Sequence, residues 1–210
     1  VGYNALTANT TASENTAVGH NAMAANTTGA KNVAVGLNAL DGNTTGIRNT
    51  TIGYNSQTNS TTGNNNTTCG ADTMVSLSTG HDNTALGAYA LNSISTGSNS
   101  VGIGVSALEA NSTASGNTAI GWHSQMRTTT GSGNISVGQN TLENITTANY
   151  NTAIGNAVLF NNTVSENTGV GYNVLYANTT GNQQVAVGSY ALDTNTTGQY
   201  NTAVGYRSMD

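Results

Sequence analysis

A glycine recurs at every seventeenth position along this chain, and that period constrains the fold more than any other feature. It follows an aliphatic residue or its stand-in at 2, 19, 36, 53, 70, 87, 104, 121, 138 and 155, then, after one shorter step, at 171, 188 and 205. Written from its first Asn, the unit reads approximately NTAVGYNALxxNTTGxx. Glycine and β-branched residues recur in every unit, both lower helix propensity, and no helical periodicity runs through the chain. The period therefore predicts an all-β parallel β-solenoid (a β-roll) of about 12 coils, with about 17 residues per coil. At the spacing of adjacent strands this is a rod of roughly 55–60 Å.

Each column of the unit carries an expectation. Column two is always β-branched (Thr16, Val33, Val101, Ile135, Val185) and column four is aliphatic or nearly so (Val18, Val35, Ile52, Cys69, Leu86, Ile103). The alternation of a strand places both on one face, expected to point inward, with Cys69 a small buried hydrophobe there. Column three is restricted to Ala, Gly, Ser or Thr, as at Ala17, Gly102 and Ser136, and is expected to face outward against something closely packed, such as a neighbouring chain. Column nine is Leu or Met in most units (Leu6, Met23, Leu40, Leu91, Leu142, Leu192) and supplies the second inward side chain. The Asn of column one can hydrogen-bond up the stack, and a second recurrent glycine in the unit, as at Gly29 after Gly19, predicts two corners per coil.

Composition agrees with a thin, stacked core. Only 6% of residues are charged and 5% aromatic, Pro is absent, and the net charge is -5. Disordered chains of low hydrophobicity are usually rich in Pro, Glu and Lys, so order by repetition fits better. No basic cluster exists to neutralise phosphates, which points away from nucleic acid, and no apolar run is long enough to span a bilayer as a helix, so no membrane insertion is expected. Residues 1–210 read as a single repeat array, a segment of a longer repeat region.

The stretches 15 to 23, 32 to 40, 117 to 121 and 201 to 205, all close to NTAVGYNAL, resemble the head repeats of trimeric autotransporter adhesins, the YadA-like class, and related phage-type tail-fibre repeats. The NTTG segment is additional to the unit of those heads. The resemblance implies a left-handed parallel β-roll, a homotrimer packed about a central axis, and attachment to a host surface without a catalytic site. Its location would be extracellular, on a cell or virion surface.

The sequence points to no catalytic, metal or cofactor site. His20, His81 and His123 occupy different columns, carboxylates such as Glu14, Glu109, Glu143 and Glu166 are scattered, and Cys69 is alone. Sequons recur at column twelve, at Asn9, Asn26, Asn43, Asn111, Asn178 and Asn195, so a line of glycans along one edge is one reading and chance duplication of an Asn- and Thr-rich unit the other. Columns six and seven vary most and carry Tyr3, Tyr54, Tyr89, Trp122, Tyr172, Tyr190 and Tyr206, a corner suited either to a host surface or glycan or to lateral packing between chains. The functional expectation is a rigid, non-catalytic extracellular fibre or adhesin segment. The alternatives are a self-assembling filament subunit, extended end to end and open to glycosylation, and an ice-binding solenoid whose Thr edge is interrupted by Leu77, Ile94 and Ile145.

Overall fold

A computed structural model describes all of residues 1–210. It contains no helix, and twelve short strands, β1 (Thr16–Val18) to β12 (Thr202–Val204), form one parallel sheet in strict chain order. Register is one unit per strand: Ala17 pairs with Ala34, Ala34 with Thr51, and Thr51 with Thr68. The chain is a β-solenoid of about eleven complete turns with one repeat unit in each turn, as the period predicts.

The phase of each strand is opposite to the sequence expectation. Column three is buried in every strand, while columns two and four lie outside: Ala34 is fully buried between half-buried Val33 and Val35, and Val18, Ile52 and Ile154 are all exposed by about two fifths. Cys69 is likewise exposed, not buried. The cause is volume. A turn as short as one repeat unit encloses so little space that only Ala, Gly, Ser or Thr fits behind the strand, with the column-nine side chain (Met23, Leu40, Leu91, Leu142) filling most of the interior.

Turning so tightly requires unusual backbone. Columns seven, nine and seventeen adopt positive φ in every coil, as at Asn21 (57°), Met23 (53°) and Lys31 (63°). Residues other than glycine enter this region at a cost of roughly 1–2 kcal/mol each. What offsets it is axial pairing, because each of these residues donates its N–H to an adjacent coil: Asn21 to the Tyr3 carbonyl, Met23 to that of Ala39, Lys31 to that of Ser13. The column-five glycines serve a different need. Gly104 has φ +128°, and a Cβ there would lie 2.5 Å from the Gly121 carbonyl oxygen of the next coil.

Polar side chains occupy as much of the interior as apolar ones. In column one, Asn49 accepts both the backbone N–H of Asn66 (3.0 Å) and its Nδ2 (3.2 Å), and donates its own Nδ2 to the Gly63 carbonyl (2.8 Å). The same pattern recurs at Asn32, Asn66 and Asn134. Ser100 interrupts the column, leaving Asn117 N–H to donate to its hydroxyl at 3.4 Å. A second ladder runs along column sixteen, where His81, Ser98, Ser115 and Ser132 each donate N–H to the side chain one coil on.

The one short coil, 151 to 166, absorbs its deletion at the Thr-rich turn. Asn162 Nδ2 donates to the Val164 carbonyl two residues on, where Asn26 and Asn178 donate to a glycine three residues on. Column one closes over the gap: Asn167 N–H still meets Asn151 Oδ1 at 3.0 Å. Strands β9 (Thr152–Asn156) and β10 (Thr168–Tyr172) pair here along their whole length.

Two substitutions separate close approach from backbone conformation. Gly104→Ala is expected to destabilise the chain by at least about 2–3 kcal/mol, from strain and the clash with Gly121. Gly116→Asn, at a column-seventeen glycine with φ +69° and open space around it, is expected to cost under about 1 kcal/mol. Chemical denaturation of both variants checks the contrast.

Candidate functional site

The outward face of the sheet is the most regular surface on the molecule. Thr or a β-branched aliphatic stands at column two and Val, Ile, Leu or Cys at column four of each of the twelve strands. The row is half-buried or exposed throughout, reaching 37% at Ile120, 44% at Ile135 and 70% at Val204 in the last strand. Monomeric proteins seldom leave an apolar stripe of this extent facing water.

Column six borders this face. In β10 the strand runs on through Tyr172, so Thr168, Val170 and Tyr172 alternate onto the same side. The exposed Tyr3, Leu37, Tyr54, Val105, Trp122 and Tyr206 share that column. The seven aromatic residues expected to form one corner separate into distinct groups. Tyr172, Tyr190 and Tyr206 meet edge to face, with ring centres 5.2 and 6.3 Å apart, and the Arg207 guanidinium lies 5.6 and 5.5 Å from the Tyr190 and Tyr206 ring centres. Desolvation among these rings, followed by the Tyr172 phenol, pushes the Tyr190 phenol above its ordinary range. Trp122 stacks on His123 at 3.6 Å and Tyr3 tilts against His20 at 5.3 Å, whereas Tyr54 and Tyr89 have no aromatic neighbour. Sequence reasoning did not pick out Phe160 and Tyr176 on column ten, stacked at 5.1 Å; their equivalent places in successive units, on either side of the short coil's deletion, are the signal that pairs them.

The column-twelve sequons lie inside the coil. Asn26, Asn43, Asn111 and Asn178 are fully buried, and Asn9 and Asn195 are half-buried in the end turns. All six commit Nδ2, the atom a glycan would occupy, to carbonyls three residues on, at 3.2 Å for Asn9, 3.0 Å for Asn26, 3.1 Å for Asn43, 3.4 Å for Asn111, 2.8 Å for Asn178 and 3.2 Å for Asn195. Asn43 also bonds Asn26 Oδ1 at 2.7 Å and Asn178 bonds Asn162 Oδ1 at 2.8 Å. The folded coil therefore leaves no space for glycans at the four buried positions, which favours the duplication reading of these sequons.

The Thr-rich edge is more regular than the sequence implied. Leu77, Ile94 and Ile145, expected to interrupt it, share the buried column twelve. Column thirteen is Thr or Ser in every coil, and hydroxyls such as Thr27, Thr44, Ser95 and Ser112 donate to the column-thirteen carbonyl of the next coil. Column fourteen is an exposed Thr wherever it occurs, with Val164 of the short coil as the one exception.

Titratable side chains meet in pairs, and no three His, Cys, Asp or Glu residues come together to hold a metal. His81 pairs with its exposed neighbour Asp82 at 2.7 Å, and that hydrogen bond, with a second from Asn65, holds the Asp82 carboxyl below its ordinary value. Burial pushes the Asp41 carboxyl above its ordinary value.

Produced in a host that glycosylates Asn-X-Ser/Thr, the folded fraction is expected to carry no sugar at Asn26, Asn43, Asn111 or Asn178 and to accept one at exposed Asn59; peptide mass mapping reads this directly. No protein-family model, curated protein or solved structure matches this chain.

Proposed function

We propose that the chain is a non-catalytic structural rod of an extracellular fibre or adhesin, and that its outward strand face is a lateral self-association surface. One observation carries this reading: the outward-facing column four, Val, Ile, Leu or Cys in every strand and flanked by the Thr or β-branched aliphatic of column two, in register over twelve strands. A partner for such a surface must offer matching features at the same axial spacing over the same length, and another copy of this chain does so at every coil.

The dimensions agree. Eleven axial steps of about 4.8 Å and four residue steps of about 3.3 Å across columns two to six give a face of about 700 Å². Stable interfaces bury about 800 Å² per partner. Each rod has one such face, so copies that share it converge on an axis parallel to the rods and form a closed bundle; we take three copies, the number that the resemblance to the adhesin heads implies. End-to-end filament growth would use the terminal coils and leave this face wet. In the bundle the column-six aromatics Trp122, Tyr172 and Tyr206 pack into the interface, and column seven, with Tyr89 and Tyr190, stays at its rim, available to a host surface or glycan.

Cys69 reports on the face because its thiol stands in column four. Light scattering is expected to give a mass of three chains at micromolar concentration, with Cys69 slow to react with a thiol reagent. The double variant Ile103→Lys, Ile120→Lys is expected to keep the strand circular dichroism, run as a monomer and label Cys69 rapidly. A wild-type monomer with a freely reactive Cys69 would remove the proposal.

The exposed Thr column, broken only at Val164, favours a second reading, in which that edge orders water and binds ice. Thermal hysteresis of the purified rod, abolished by replacing Thr45, Thr62, Thr79 and Thr96 with Lys, would establish it; a freezing point set by solute concentration alone would exclude it.

A further inference from the structure

The interior of the rod is divided. Its buried apolar side chains fall into three separate clusters, one from Ala17 to Leu40, one from Met74 to Ala119 and one from Leu142 to Ala203. Between them lie two polar layers, at the third coil (49 to 65) and the seventh (117 to 133). These are the only coils in which column nine, otherwise Leu or Met, is Gln.

In the third coil Gln57, Ser56, Thr51 and Ser60 are all fully buried. The Thr51 hydroxyl donates to Gln57 Oε1 at 2.9 Å, and Ser56 reaches the hydroxyls of Thr68 and Thr73 in the following coil at 2.7 and 2.5 Å. In the seventh coil Gln125 Nε2 donates to Ser136 Oγ at 2.8 Å and to the Thr118 carbonyl at 3.0 Å, while Ser124 and Ser136 share a hydrogen at 2.5 Å. Three buried atoms in these two layers have no hydrogen-bond partner: Ser60 Oγ, Gln125 Oε1 and Thr128 Oγ1.

We infer that the rod consists of three cooperatively folded segments joined at these two layers, and that its coils part there before they part elsewhere. Each coil of a solenoid meets only its neighbours, so cooperativity is set by the successive interfaces between coils. Parting two coils across an apolar layer exposes hydrocarbon to water. Across a polar layer it exposes hydroxyls and amides that water solvates, the three orphaned atoms among them. The axial backbone bonds continue through both layers, from Gln57 N–H to the Thr73 carbonyl (2.8 Å) and from Gln125 N–H to that of Thr141 (2.9 Å), so the segments stay tethered in the closed state. The seventh coil is the weaker plane. It holds two of the orphaned atoms, and the Ser100 interruption of the Asn column lies one coil away. The inference rests on the fold alone and is independent of how the rod assembles or what it touches.

Hydrogen–deuterium exchange of the full chain, resolved by peptide, tests it. Amides at Gln57 and Gln125 are expected to exchange at least about tenfold faster than those at Leu91 and Leu159, which sit at the same column within apolar segments. Replacing the polar layer between the seventh and eighth coils with the apolar or small residues found at those columns in other coils (Ser124→Ala, Gln125→Leu, Ser136→Ala) is expected to raise protection there to the level at Leu91 and leave the third coil unchanged. Uniform protection along the wild-type rod, or internal minima at other coils, overturns the inference; so does a folded triple variant whose seventh coil exchanges as before. Should the variant fail to fold, the wild-type profile alone decides.

Discussion

Hydrogen bonding parallel to the rod axis is the interaction on which everything else in this molecule depends. Backbone N–H groups donate from coil to coil around most of each turn, not only in the short strands. The buried Asn column adds a side-chain ladder in the same direction, as at Asn49, which is engaged with the coils on both sides of it. These bonds fix the pitch and permit a coil too narrow for an ordinary hydrophobic core. They also hold residues such as Met23 and Leu40 in a backbone conformation that neither would adopt in isolation.

Pitch in turn determines the surface. Because every coil is displaced along the axis by the same amount, any residue type that recurs in the unit becomes a straight column on the outside of the rod. Aliphatic side chains form one such column beside the strands and Thr another at the opposite turn. The interior has no equivalent freedom, since column three admits only small side chains and column nine sits where one long side chain fits. Gln57 and Gln125 satisfy that space with amides in place of hydrocarbon, keeping the shape while changing what the layer resists.

The period, the parallel all-β architecture and the role of the Asn column were legible in the sequence because each is a property of repetition itself. The phase of the strand was not. Period-two alternation says that Val18 and Thr16 share a face but not which face, and the usual preference for aliphatic residues inside favoured the wrong one. The size restriction at Ala17, Gly102 and Ser136 was the better guide, because a column that never exceeds Thr marks the place where space is scarcest. Thr and Val alternating freely in column two point the same way, since a fully buried site seldom accepts both. The sequons illustrate a related gap: Asn26 and Asn178 match a surface motif letter for letter, yet sit in a turn that folds the amide inward onto its own carbonyls. The grouping of Tyr172, Tyr190 and Tyr206 could be read from their adjacent columns in three successive coils, while the approach of Arg207 depends on a rotamer that spacing does not encode.

The short coil at 151 to 166 shows where this architecture tolerates a change of length. A residue is lost at the Thr-rich turn, yet the Asn column and the sheet close over the gap with ordinary distances. Length errors introduced when a gene copies one unit beside another can thus be absorbed at a single hinge of the coil without disturbing the rows that meet other coils. Recombination between units then becomes a means of adjusting the reach of the rod, adding or removing about one strand spacing at a time while the cross-section stays the same.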